Sequence, residues 1–152
     1  MTGPVGGPGT RESTQPAPRE LADEPGGLLL VCSDDAGSAR LAGLATSGRS
    51  ETYGMAQDAT WAVTNLRKSA LGADFTISRQ GTALGELHVP FPGDHFVRNA
   101  LAAAAVCLNE GVPLEVVRSA LAKVHGAHRR FEKIGEANGV LVMEDYACLL
   151  YP

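Results

Sequence analysis

Clusters of basic residues, paired cysteines and long apolar runs are all scarce in this chain, and each scarcity removes a class of function. Thirteen Lys and Arg stand against 17 Asp and Glu, for a formal charge of −4, and the basic residues are not gathered into patches. A nucleic-acid surface is therefore excluded as the main role. No apolar run is long enough to cross a bilayer, and the segment after Met1 lacks a basic stretch followed by an apolar one. A cytoplasmic protein without membrane contact is expected. Cys32, Cys107 and Cys148 are odd in number, widely spaced and set in apolar surroundings, without metal-ligand spacing. They read as buried thiols rather than as a disulfide or zinc framework, so no metal site is expected from them.

What is present suits one globular domain: 152 residues, 44% hydrophobic and 20% charged. Residues 1–27 hold five of the nine prolines and almost no large apolar side chain, so a disordered or unrelated tail is expected there. The composition then shifts. Leu28–Cys32 is a continuous apolar run that predicts a parallel strand buried on both faces. Ser33-Asp34-Asp35 follows, leading into a helical pattern at Ala39, Leu41, Ala42, Leu44 and Ala45. One of the two aspartates is most simply its N-cap, and ligand contact at the strand's C-terminal end is the sharper alternative. Glu51–Gly54 predicts a second parallel strand and completes a β-α-β unit. From Thr60 to Phe91 apolar and polar residues alternate between glycine breaks, which predicts an antiparallel meander. Trp61 reads as part of its core, with stacking on a ligand as the alternative, and Arg67, Lys68 and Arg79 read as solvated edge charges. The fold class is α/β: a parallel sheet with a small antiparallel sheet.

The organising stretch is Pro92–Glu110. Pro92-Gly93 ends the strand texture, Asp94 is the expected N-cap, and Val97, Ala100, Leu101, Ala104 and Leu108 recur at helical spacing. With Ala102, Ala103 and Ala105 on the other faces, the helix is small-sided and expected to pack closely on a sheet. His95 and Asn99, four apart, share a face at its N-terminal end, where free N–H groups favour a phosphate or a nucleotide base. The plain alternative is that both satisfy local backbone. Gly111 stops the helix, and Pro113 is the expected first residue of a second one, striped by Leu114, Val117, Ala120, Leu121 and Val124 and paired with the first as a hairpin. Beyond it come Arg129-Arg130-Phe131-Glu132, of which one arginine at most can face a site cleanly, either binding phosphate or lying solvated. Gly139–Met143 predicts a last buried strand with Glu144-Asp145-Tyr146 at its end, the place where ligands of α/β sheets are met.

Taken together, Cys32-Ser33-Asp34-Asp35, Thr52-Tyr53-Gly54, Pro92-Gly93-Asp94-His95 through Asn99-Ala100-Leu101-Ala102-Ala103, Gly126 to Glu132 and Glu144-Asp145-Tyr146-Ala147 resemble the Mur ligase family, in collinear order from about Gly27 to Ala147. The resemblance implies an ATP-dependent amide-forming ligase of peptidoglycan precursor synthesis, with residues 28–138 as the distal part of its central ATPase domain and residues 139–152 as the first strand of a C-terminal domain. Thr-Tyr-Gly and Arg-Arg-Phe-Glu favour the L-alanine-adding member, whose substrates are UDP-N-acetylmuramate, L-alanine and ATP with Mg2+. His95, Asn99, Arg130 and Asp145 inherit nucleotide-positioning roles by their match to family motifs. The family motif His-Asn-x-x-Asn departs at its second place, where this chain has Phe96. A phosphate loop ending in Gly-Lys-Ser/Thr is not found, nor are the family's metal-binding Glu and His or its modified lysine. A fragment without catalytic residues of its own, inactive alone, is therefore expected. The rival expectations are a related ligase of muramyl-peptide recycling or poly-amino-acid synthesis, a non-catalytic interaction module, and a non-functional remnant.

Overall fold

The strand-forming texture of Leu28–Val89 becomes one mixed five-stranded sheet in a computed structural model of the chain, which describes residues 26–41, 49–125 and 132–144. β1 (Leu28–Cys32) and β2 (Arg49–Gly54) run parallel, from Leu28 opposite Arg49 to Cys32 opposite Tyr53. β3 (Trp61–Ser69), β4 (Gly72–Arg79) and β5 (Thr82–Val89) form the expected antiparallel meander. Only Tyr53 opposite Trp61 and Gly54 opposite Ala62 join β2 to β3, yet this short parallel overlap makes the sheet continuous in the order β1-β2-β3-β4-β5. In β1 only Val31 is fully buried. Burial on both faces was too strong an expectation, because β1 is the sheet edge among the described strands and keeps one side unpaired. The short helix α1 (Ala36–Ala39) follows β1; residues 42–48, where the predicted helix continues, lie outside the described residues.

The period-two pattern of the meander sends Trp61, Val63, Phe75, Ile77, Leu87 and Val89 to one face. Against them lies α2 (Asp94–Asn109), whose Val97, Ala100, Leu101, Ala104 and Ala105 are buried. The three alanines let the helix backbone approach the sheet, while Leu101 and Val97 fill the space between, each buried side chain contributing about 1.5–3 kcal/mol. α3 (Leu114–Leu121) lies over β5 as well as against α2. Its Arg118 Nε donates to the Glu86 carbonyl at 2.8 Å, and Leu114 occupies the space over Gly85, where a Cβ would fall 2.6 Å from its Cδ2.

Local chemistry differs from expectation at both helix starts. The N-cap of α2 is Gly93, at φ 118°, where a side chain would strike the His95 ring 2.8 Å away. Asp94 is instead the first helical residue, and its carboxylate takes Lys68 Nζ at 2.5 Å. That hydrogen bond holds the Asp94 carboxyl below its usual range. Pro113 caps α3 rather than opening it. Cys32 and Cys107 are half-buried free thiols; Cys148 lies outside the described residues.

Residues Glu132–Ala137 (β6) and Val140–Glu144 (β7) form an antiparallel hairpin around Asn138-Gly139, both in the left-handed region. The expected domain boundary at 138/139 falls in this turn. A last buried parallel strand was expected, but Val140 is 63% and Val142 49% exposed, and the partner strand is antiparallel. Four large apolar residues in a row, Val140–Met143, read as a core strand only if something covers them, and no described residue does so.

The sheet and α2 are tied by Glu51 of β2, whose side chain is 11% exposed. Its carboxylate accepts from Trp61 Nε1 (2.6 Å), Asn109 Nδ2 (2.9 Å), Arg79 Nη2 (2.9 Å) and Arg49 Nη2 (3.0 Å). Burial alone would raise its pKa; the bonds from Asn109, Trp61 and Arg49 and the charge of Arg79 outweigh burial and hold it at about 2. Arg79 also stacks 4.7 Å from the Trp61 ring centre, so it is a member of this network rather than a solvated charge. Arg67 and Lys68 are surface residues paired with Glu86 and Asp94.

Leu101→Ala opens a cavity in the fully buried layer and is expected to cost about 2–5 kcal/mol in urea unfolding. Because the Glu51 carboxyl is depressed in the fold, its stabilisation is fully present above the ordinary value near 4.5 and is lost as pH falls toward about 2. Thermal melts across that window should show this acid loss in the unaltered protein and a shallower one in Glu51→Gln, which starts less stable at neutral pH. Parallel pH profiles for the two proteins would refute the linkage.

Candidate functional site

The loop between β5 and α2, Pro90-Phe91-Pro92-Gly93, carries a rigid backbone and one aromatic ring to the start of the helix. Phe91 meets Phe96 of α2 with ring centres 5.0 Å apart and planes inclined at 33°. His95 also packs against Phe96, with ring centres 4.2 Å apart. Behind the two phenylalanines opens a cavity of about 300 Å³, bounded by the β5 end, the first turns of α2 and the chain just beyond α3. Phe91, Phe96, Asn99, Ala103, Leu121 and His125 are among its lining residues. Its volume is at the lower end of small-molecule sites, and its walls are mostly apolar with a few polar groups, as such sites usually are.

The helix explains which predicted residues meet. Asn99 is three residues beyond Phe96 and four beyond His95, so the three share the same helical flank. Asn99 reaches the cavity; His95 does not line it and forms the exposed outer side of the aromatic group. Arg130 and Asp145, the other two predicted nucleotide residues, lie outside the described residues. Phe91 and His125 were not singled out by the sequence. Phe91 follows Pro90 at the end of a strand pattern and His125 follows the last turn of α3, and nothing local signals that the fold brings them opposite one another.

A second polar group sits at the C-terminal ends of β1 and β2. Asp35 is the N-cap of α1 and accepts from Ser38 N at 2.6 Å, which lowers its carboxyl pKa. Asp34 instead reaches across to β2, accepting from Met55 N at 3.0 and 2.9 Å, with Arg98 Nη1 3.8 Å from its Oδ2. Ser33 Oγ donates to the Tyr53 carbonyl at 3.1 Å. Gly54 is required at this junction, since a Cβ there would lie 2.4 Å from Ser33 Oγ and 2.6 Å from Asp34 Oδ1. The two aspartates thus divide the alternatives: one caps, and the other ties the strand ends and faces α2. The Tyr53 hydroxyl is pushed up by burial and by its neighbour Cys32. Among the described residues no three His, Cys, Asp or Glu side chains are grouped to hold a metal ion.

Comparison with known proteins places this geometry in a family. A UDP-N-acetylmuramate--L-alanine ligase from Salinispora arenicola is 39% identical over 126 residues, which are 82% of this chain and 25% of that protein. The chain thus spans about a quarter of the length of the curated relatives it matches. Among solved structures, MurF from Acinetobacter baumannii superposes with a TM-score of 0.69 at 27% identity, over 80% of this chain and 26% of that one. The UDP-N-acetylmuramate-alanine ligase MurC from Thermotoga maritima gives 0.67 at 28%, over 79% and 26%. An FPGS-AMPPCP complex gives 0.58 at 25%, over 78% and 29%. The family model described as the Mur ligase middle domain matches residues 9–107, and with the parallel pair, the meander and α2 in their places the chain belongs to the Mur ligase family.

Proposed function

We propose that this chain supplies the base-binding side of the nucleotide site in an ATP-dependent ligase that joins L-alanine to UDP-N-acetylmuramate. The observation that carries the reading is the Asn99 amide on the wall of a cavity flanked by Phe91 and Phe96, at the start of α2. An amide offers both donor and acceptor to a base edge, and the rings give the base an apolar, stackable seat. The FPGS relative in complex with AMPPCP, an ATP analogue, supports a nucleotide on this fold, and the names of the relatives support the L-alanine acceptor.

In the proposed reaction the UDP-N-acetylmuramate carboxylate attacks the γ-phosphorus of ATP, releasing ADP and forming an acyl phosphate. The L-alanine amine then attacks the acyl carbon, phosphate departs, and the amine loses a proton. The described residues contribute position rather than chemistry. Asn99 would hold the base, and the Asp34–Arg98 contact would keep the strand ends fixed against α2, because reacting groups misplaced by an ångström lose most of their rate. Arg130 and Asp145 are proposed on the phosphate and ribose sides. Mg2+, when bound to the full enzyme, neutralises phosphate charge; no described residue is assigned to it.

Calorimetric titration with magnesium-ATP tests the reading: binding is expected, and Asn99→Ala should weaken it about three- to tenfold through loss of a hydrogen-bonding partner, with the melting temperature little changed. Equal affinity of the two proteins for ATP, or no binding to either, would refute this placement. In an assembled ligase, phosphate release is expected to depend on free L-alanine and not on a muramyl-type peptide acceptor; the reverse preference would assign the recycling activity instead.

A further inference from the structure

The outward face of α3 carries its own complement. Val117, with Leu114 and Leu121 beside it, turns to the core. On the opposite side Glu115, Val116, Ser119, Ala120 and Lys123 line an open depression on the surface, and Val116 is 55% exposed. Glu115, Ser119 and Lys123 follow one another at four-residue steps, so they form one row along the helix. Lys123 stays in that row because its N–H still bonds the Ala120 carbonyl, at 3.0 Å. The row is acidic at its start, small in the middle and basic at its end.

Arg118 steadies the acidic end without covering it. Its Nε is held by the Glu86 carbonyl of β5 at 2.8 Å, and its Nη1 donates to both Glu115 oxygens at 2.5 Å. The Glu115 side chain remains 76% exposed, and a carboxylate oxygen can accept a second donor, so an ammonium group can still approach from outside.

A reversed copy of this row fits it in charge and in size. About a two-fold axis at Ser119, Glu115 of each copy meets Lys123 of the other, giving two identical ion pairs, as an isologous contact requires. A parallel copy would set like charges against each other. Ser119 and Ala120 are small enough for the two helix axes to approach to about 8–10 Å, and Val116 of each copy then enters the depression of the other. We propose that α3 is a self-association face on which a second copy of this chain docks antiparallel. One helix face buries less than the roughly 800 Å² per partner of a lasting complex, so the dimer is weak, with a dissociation constant of about 0.1–1 mM.

Sedimentation equilibrium of the full chain from about 20 μM to 1 mM tests this, and association is expected over the upper part of that range. Glu115→Lys and Lys123→Glu should each weaken it at least about tenfold, since each sets like charges together across the axis. An equimolar mixture of the two variants should associate again, because one chain then bears two basic ends and the other two acidic ends. A monomer throughout the range, a dimer indifferent to both reversals, or a mixture that stays monomeric would each overturn the proposal. Should a variant lose its cooperative melt, dilution of the unaltered protein followed by amide NMR decides: concentration-dependent shifts centred on Val116, Ser119, Ala120 and Lys123 are expected, and shifts centred elsewhere refute the face.

Discussion

A single largely buried carboxylate holds the two halves of this fold together. Glu51 lies on β2, the strand that joins the parallel pair to the meander through only two residue pairs, and that junction would be weak on backbone hydrogen bonds alone. Its four donors come from β2, β3, β4 and the last turn of α2, so one side chain crosses the junction and anchors the helix. Asn109 closes the network from the other side: its Nδ2 donates to Glu51, while its Oδ1 accepts from Arg49 at 2.8 Å and Arg79 at 3.2 Å. Removing one member of such a set leaves the largely buried Glu51 carboxylate short of a partner, which is destabilising.

That anchor acts on the candidate site at a distance. Asn99 and Asn109 are on the same helix, separated by about 15 Å at 1.5 Å per residue. With the C-terminal end of α2 pinned by Glu51 and its apolar flank pressed on Phe75 and Ile77, the rotation of the helix about its axis is set, and so is the direction in which Asn99 and Phe96 project. At the other end Gly93, in a backbone conformation that a side chain would not allow, turns the Pro90–Pro92 loop back toward Phe96. The cavity therefore lies between two constraints that do not themselves touch a ligand.

Its chemistry is lopsided for that reason. The rings that build the cavity are also the rings that cover the end of the core, with Phe91 and Phe96 both packed on its buried residues. A wall made of core side chains can supply stacking and shape but few directed polar groups, and among the described lining side chains those groups are on Asn99 and His125. The same geometry separates His95 from the cavity: at the first turn it points past Phe96 to solvent, though the helix spacing puts it on the same flank.

The amino-acid sequence by itself determined the elements whose signals are local. Period-two alternation with glycine breaks is enough for the meander, the Val97-to-Ala105 spacing for α2, and the continuous apolar run for β1, because each pattern reflects a face that must be buried whatever it is buried against. The collinear motifs from Cys32 to Ala147 together pointed to the family, which the match over residues 9–107 bears out. What needed the tertiary structure were the partners. Asp34 and Asp35 are equivalent as sequence, and only the position of Met55 N assigns one to the strand end and the other to the cap. Arg79 looked like any edge charge until Trp61 and Glu51 were beside it. Val140–Met143 looked like a core strand because composition reports a preference for burial and not the presence of a cover. Phe91, Phe96, Asn99 and His125 share one cavity because a loop, a helix and the end of another helix converge there, and side chains up to 34 positions apart in the chain carry no local signal of that meeting.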